Sequence, residues 1–282
     1  MSAAYRYRLG VIADIHAAPA TAEPYDWQNT VDLPHSVELL DAGLAWLGKQ
    51  RLDALALLGD LTEAADAASF AVVRERALEL GVPVLAAPGN CDVDPVDRSL
   101  TAFEQLRGDR FTISPELLPL LSGSVVELVH LAGRRHSKRL RGVAPSPDMT
   151  ADDLHLVLMH YPVLDLEPEL TAAGFRHSGN LTNRADFEQD LRELGSPAVV
   201  VLGHLHIHDA RSSGPLLHLS CGPLIEAPHL VYAIELDIGD EYIGVRRRAH
   251  SVRQDAIEHL PVFAPFDQRW VWSGDGWMEL LG

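Results

Sequence analysis

The chain has 282 residues, 47% of them apolar and 22% charged, a globular balance that excludes disordered and fibrous classes and allows a sizeable core. Its formal net charge of −17, from 40 Asp plus Glu against 23 Lys plus Arg, repels phosphate backbones and excludes general nucleic-acid binding. The first residues carry no apolar leader and no apolar run approaches the ~18 residues of a membrane span, so a cytoplasmic protein without membrane contact is expected.

Leu9 to Ala13 reads as a first strand, from which Asp14 and His16 leave on one face because strand residues two apart share a face. The long, aperiodic segment Ala17 to Leu33 is expected to be a loop forming part of a substrate wall. Helix is predicted over Ser36 to Gln50, where Val37, Leu40, Leu44 and Leu47 recur at helical spacing, and strand over Leu52 to Leu58, a βαβ rhythm. Ala64 to Leu80 reads as helix stopped at Gly81, Val82 to Ala87 as strand, and Pro95 to Gly108 as helix.

Short apolar runs follow, Val125 to Leu131 and Arg139 to Val143, divided by a basic turn at Arg134 to Arg139 that reads as a solvated hairpin tip. His155 to Met159 is predicted strand, Tyr161 to Arg184 loop, Ala185 to Leu194 helix and Ala198 to Leu202 strand. The tail reads as successive antiparallel strands at Leu216 to Ser220, Leu230 to Leu236 and Tyr242 to Arg248, with Trp270, Trp272 and Trp277 as a terminal cover. One domain over residues 1–282 is expected, with a strand-rich part from about residue 215, and the tail strands offer an edge for a homodimer. Cys91 and Cys221 are too few for a disulfide framework and read as free thiols.

Five buried strands break into polar residues in the same way. The runs end in Asp14-Ile15-His16, Gly59-Asp60, Gly89-Asn90-Cys91-Asp92, His160 and Gly203-His204-Leu205-His206. Open α/β sheets bind ligands at the carboxyl ends of their strands, so these residues converge on one rim. The donors are carboxylates from Asp14 and Asp60, imidazoles from His16, His160, His204 and His206, and the amide of Asn90. Mixed nitrogen and oxygen donors without thiolate suit Mn, Fe, Zn or Co, and the set exceeds what one ion takes in an open catalytic site. Two ions sharing a carboxylate use them all.

In these motifs and their order the sequence resembles the calcineurin-like metallophosphoesterase family, over roughly residues 9–210. The resemblance implies an α/β fold, a four-layer α-β-β-α sandwich of two mixed sheets flanked by helices. It implies that Asp14, His16, Asp60 and His206 hold one ion, that Asp60, Asn90, His160 and His204 hold the other, and that Asp60 bridges. Mn or Fe are the expected metals, with Zn or Co as alternatives. The expected reaction is in-line attack of a metal-bridging hydroxide on phosphorus, without a covalent intermediate. With about +4 from the ions against the two aspartates and a hydroxide, the site keeps about +1 and attracts a phosphate ester.

Cys91 stands where most of that family carries a histidine thought to help the leaving group, and a thiol is a weak donor. Poor leaving groups suffer most from that loss, so a phosphodiesterase strongest on aryl or activated esters is expected. The alternatives are a phosphomonoesterase or a nucleotide or dinucleotide hydrolase on the same site, and a non-catalytic metal-bound scaffold. Cys91, Asp92 and His177 are the candidate catalytic residues, Asp92 as a carboxylate that orients a ligand and His177 as a substitute acid; His35 and His208 are further candidates for that acid.

Overall fold

The computed structural model of the chain describes residues 5–113, 116–119, 125–128, 131–133, 140–142, 154–175, 179–239, 242–255 and 263–280. Its first half runs β1 (Tyr5–Ile12), β2 (Tyr25–Asp26), β3 (Thr30–Val31), α1 (Ser36–Leu47), β4 (Ala54–Leu58), α2 (Ala67–Glu79), β5 (Val84–Ala87), α3 (Thr101–Glu104) and β6 (Phe111–Ile113). Then come β7 (Glu116–Pro119), β8 (Val125–Leu128), β9 (Leu131–Gly133), β10 (Leu140–Gly142), β11 (His155–Leu158), α4 (Glu167–Ala172), α5 (Arg184–Glu193) and β12 (Ala198–Leu202). The tail holds β13 (Asp209–Ser213), β14 (Leu216–Ser220), β15 (Leu230–Gly239), β16 (Tyr242–Ser251), β17 (Asp267–Trp272) and β18 (Trp277–Glu279).

Two large mixed sheets form. One has the order β18-β17-β16-β15-β1-β4-β5-β6, the other β13-β14-β12-β11-β8-β7. In the first, β1, β4, β5 and β6 are parallel and β15 to β18 continue antiparallel from β1. In the second, β8, β11, β12 and β14 are parallel, with antiparallel edges at β13 and β7.

The period of two along each strand builds the layers. Leu9, Val11 and Ala13 after β1, with Ala54, Ala56 and Leu58, pack against Leu156, Leu158, Val199 and Val201 of the opposite sheet. Their alternates Ile12, Leu55 and Leu57 turn outward onto Leu40, Leu44 and Leu47 of α1 and Phe70 and Val73 of α2. On the other side Val157, Val200 and Leu202 meet Leu170 of α4 and Phe187 and Leu191 of α5. Helix, sheet, sheet and helix therefore stack as the expected four-layer α-β-β-α sandwich. Among the described residues no helix is long and apolar enough to cross a membrane.

Three local expectations are corrected. The helix expected over Pro95 to Gly108 shrinks to α3, because Asp94 accepts from the amides of Val96 and Asp97 and Asp97 from that of Ser99, short loops that compete with helix. The Tyr161 to Arg184 loop contains α4, whose Pro168 sits in its first turn where a missing amide costs nothing. Of the three tail strands, Leu230–Gly239 and Tyr242–Ser251 pair antiparallel as expected, but Leu216–Ser220 joins the second sheet, parallel to β12, while Leu230–Gly239 lies in the first. Trp270 and Trp277 are buried in the inter-sheet core, and the Trp277 indole donates to the Pro215 carbonyl at 2.9 Å. The basic turn at 134–139 lies outside the described residues.

Candidate metal centre

The parallel strands β1, β4 and β5 of one sheet and β11 and β12 of the other deliver their carboxyl ends to one rim, where the sheets meet. The chain must turn sharply there to aim short side chains back at the rim. Asp14, His16, Asp60, His204 and His206 all take left-handed backbone, with φ of 52°, 47°, 48°, 67° and 53°. Such conformations cost about 1–3 kcal/mol each and persist where surrounding packing over-determines them.

Two glycines make the approach possible. A Cβ on Gly59, itself at φ +80°, would lie 2.5 Å from His160 Nδ1, and one on Gly203 would lie 2.6 Å from Asp14 Oδ2. The Gly203 position brings the next amide onto the carboxylate: His204 N donates to Asp14 Oδ1 at 3.1 Å and to Oδ2 at 3.0 Å.

The donors fall into two triads. In one, ligand atoms of Asp14, His16 and His206 lie within 4.8 Å of one another; in the other, those of Asp60, His160 and His204 do. Asp60 Oδ2 stands between them, 3.6 Å from His16 Nε2 and 3.4 Å from His160 Nε2. Its other oxygen accepts the Cys91 amide at 2.7 Å. The Asn90 amide oxygen accepts from the Tyr161 hydroxyl at 3.1 Å, and the Tyr161 ring lies 4.1 Å from that of His204.

Outer partners fix which imidazole nitrogen faces inward. His16 Nδ1 is 2.7 Å from Glu63 Oε2, His206 Nδ1 is 2.5 Å from Glu226 Oε2, and His160 Nδ1 is 2.8 Å from the Leu58 carbonyl. Each of these three rings thereby turns Nε2 into the site, the arrangement typical of metal-ligating histidine. Glu63 and Glu226 were not singled out in the sequence. Neither follows a buried strand directly, and only the proximity of Glu63 to Asp60 in the chain hints at its place.

The electrostatics are those of a cage built around positive charge. Burial alone raises the Asp60 carboxyl, but His160, His16 and His204 outweigh it and hold it far below the usual carboxylate range. Burial likewise opposes protonation of His206 and His160, yet Asp14 and Glu226 hold the former up at about 10, and Asp60 and Asp14 the latter at about 9. His204, desolvated and beside His160, is pushed down to about 3. The residues present fit a pair of cations. His16 Nε2 is buried with no hydrogen-bond partner while aimed at Asp60, a donor atom that a bound ion satisfies.

The remaining candidates are placed differently. Asp92 is buried beneath the rim, where its two oxygens accept from the amides of Thr62 (3.0 Å), Leu61 (3.1 Å) and Gly89 (2.9 Å). It joins the Asp60 loop to the Asn90 loop. Desolvation, then the charge of Asp60, raises it to about 6. Cys91 lies half-buried within 4.8 Å of donor atoms of His16 and Glu63, and burial with the nearby carboxylates pushes its thiol well above the ordinary value. His35 is turned to Asp32 at 2.8 Å, and His208 is packed between Tyr232 Oη and the Pro265 carbonyl, at 3.1 and 2.9 Å. Neither is aimed at the rim. His177 lies outside the described residues.

Residues 7–234 match the calcineurin-like phosphoesterase superfamily domain. No curated protein matches the chain. Among solved structures the chain is similar to a dimetal phosphatase from Danio rerio, 13% identical with a TM-score of 0.60, over 90% of this chain and 99% of that one. A purple acid phosphatase from yellow lupin (Lupinus luteus) seeds, 12% identical with a TM-score of 0.49, matches over 92% of this chain and 54% of that one. The first likeness is one of fold, and it agrees with the layers described above.

Proposed function

The chain belongs to the calcineurin-like phosphoesterase superfamily, and from that premise we propose that it is a dinuclear metal-dependent phosphoesterase acting by preference on phosphodiesters. The observation that carries the reading is Asp60 Oδ2, poised between two triads of donor atoms, 3.6 Å from a nitrogen of one and 3.4 Å from a nitrogen of the other. Asp14, His16, Asp60 and His206 would hold one ion and Asp60, Asn90, His160 and His204 the other. Bound there, a pair of divalent ions supplies Lewis acidity toward phosphoryl oxygens and a water acidic enough to deprotonate near neutral pH. Mn or Fe suits this nitrogen and oxygen donor set, with Zn or Co as alternatives.

The chain's own residues contribute orientation. Glu63, Glu226 and the Leu58 carbonyl hold His16, His206 and His160 with Nε2 inward. Asp92 fixes the spacing of the Asp60 and Asn90 loops. The diester preference rests on Cys91. A neutral thiol donates a proton poorly, and His35 and His208 are turned elsewhere, so among the described candidates a leaving group that needs protonation finds little help.

The test is hydrolysis by metal-reconstituted protein of bis(4-nitrophenyl) phosphate and 4-nitrophenyl phosphate, with Mn, Fe, Co and Zn in turn. The diester should turn over faster. A monoester preference would remove the diester assignment, and no hydrolysis of either with any metal would remove the phosphoesterase assignment.

A further inference from the structure

The segment between β1 and α1 puts two large aromatic side chains beside the rim and leaves them in water. Tyr25 is 40% exposed and Trp27 45%. They belong to the hairpin of β2 and β3, and each is tied to a histidine of the first triad by a different route. The Tyr25 phenol, raised first by burial, is raised further by the charge of Glu63, the carboxylate that holds His16. The Trp27 ring lies 6.4 Å from that of His206, tilted by 56°. His16 and His206 are themselves edge to face, with ring centroids 5.8 Å apart.

The hairpin is anchored rather than loose. Glu226 accepts the Asn29 amide on one oxygen and faces His206 Nδ1 with the other. Val31 bridges to Glu226, and Asp32 N donates to the Ile225 carbonyl at 3.1 Å. A single buried carboxylate thus sets the aromatic pair and a candidate ligand in one frame. Tyr25 and Trp27 keep 40% and 45% of their surface in water although the hairpin that carries them is anchored. Held rigidly beside a phosphate site, they offer flat faces at low entropic cost.

We propose that Tyr25 and Trp27 form an aromatic platform that selects phosphate esters whose organic part carries a flat ring, an aryl group or a nucleobase, stacked on Trp27. This rests on the phosphoesterase reading and adds its specificity. Asp14, His16 and His206 face the phosphoryl end, and the hairpin faces the group esterified to it.

The experiment measures affinity, not turnover. Binding of methylphosphonate, phenylphosphonate and an adenosine 5′-phosphonate to Mn-reconstituted protein is followed by calorimetry and by quenching of tryptophan fluorescence. Stacking of one ring on an aromatic side chain predicts a preference of ~10-fold for a ring-bearing phosphonate over methylphosphonate. Trp27→Ala should bring that ratio close to one and Trp27→Phe should keep most of it, the Phe variant guarding against a fold defect in the Ala variant. Which of phenyl and adenosyl gains more separates an aryl from a nucleobase ligand. Equal binding of all three phosphonates, or an unchanged ratio in Trp27→Ala, overturns the platform while leaving the phosphoesterase reading intact. Binding of none of them, together with no ester hydrolysis, overturns both.

Discussion

His206 Nδ1 lies 2.5 Å from Glu226 Oε2, and both residues are buried. The pair fixes the ring so that His206 Nε2 stands 3.6 Å from Asp14 Oδ1. A carboxylate behind a ligating imidazole raises its basicity and holds its orientation, and removing such partners costs about 10- to 100-fold in metal affinity or activity. Glu226→Ala should therefore weaken Mn binding by about that factor in a calorimetric titration, and Glu226→Gln, which keeps one carbonyl oxygen, by less. Unchanged affinity in Glu226→Ala would show that His206 needs no such support.

Gly59 sits at φ +80° with the site for a Cβ 2.5 Å from His160 Nδ1 and 2.7 Å from its Cβ. Gly59→Ala strains the backbone and pushes the His160 ring away from Asp60. A loss of about 1–3 kcal/mol is expected in denaturant unfolding of the metal-free protein, together with weaker metal uptake. Wild-type stability and uptake in the variant would contradict the packing described.

That much of the rim was legible in sequence has a simple cause. A strand buried on both faces leaves an unbroken apolar run, and its end is marked by the first polar residue, so Asp14, Asp60, Asn90, His160 and His204 each announce themselves. The helix α1 followed from apolar spacing and α2 from its stop at Gly81, whereas the four-layer stacking came only from the family resemblance. Glu63 and Glu226 were hidden because a carboxylate behind a ligand is fixed by contacts across the fold, not by local spacing. The sheet change between Leu216–Ser220 and Leu230–Gly239 was hidden too, since short apolar strands separated by Gly222-Pro223 look alike whether they pair with each other or part. Neighbouring side chains decided the false helix at Pro95 to Gly108, where Asp94 and Asp97 capture the amides that a helix would use.

Cys91 gives a test of the leaving-group argument. Cys91→His places an imidazole close to Asp60 and Glu63, and general acid help should raise turnover of esters with poor leaving groups by about 100-fold, with little gain for 4-nitrophenyl esters. Equal effects on both ester classes, or none, would detach Cys91 from the chemistry.

Two histidines away from the rim set an acid limit on stability. Burial, then Arg211 and Arg247, pushes His218 down to about 3, and burial, then Arg247, does the same to His208. The Val163 amide donates to His218 Nε2 at 3.2 Å, so protonation there also breaks a hydrogen bond. Below ~6.5 the unfolded chain takes up protons that the folded chain refuses. Stability is therefore retained above ~6.5 and falls as pH drops toward 3, at up to about 1.4 kcal/mol per pH unit for each group. Urea midpoints measured across that range should fall less steeply in His218→Gln. An identical slope in that variant would contradict the assignment.

The central claim is a pair of ions held at the meeting of two sheets with Asp60 shared between them. Equilibrium dialysis of metal-stripped protein against Mn measures it directly, comparing the wild type with Asp60→Asn. Two ions per wild-type chain are predicted, with both sites weakened together in the variant. No uptake or a single ion in the wild type, or two undiminished sites in Asp60→Asn, would contradict it.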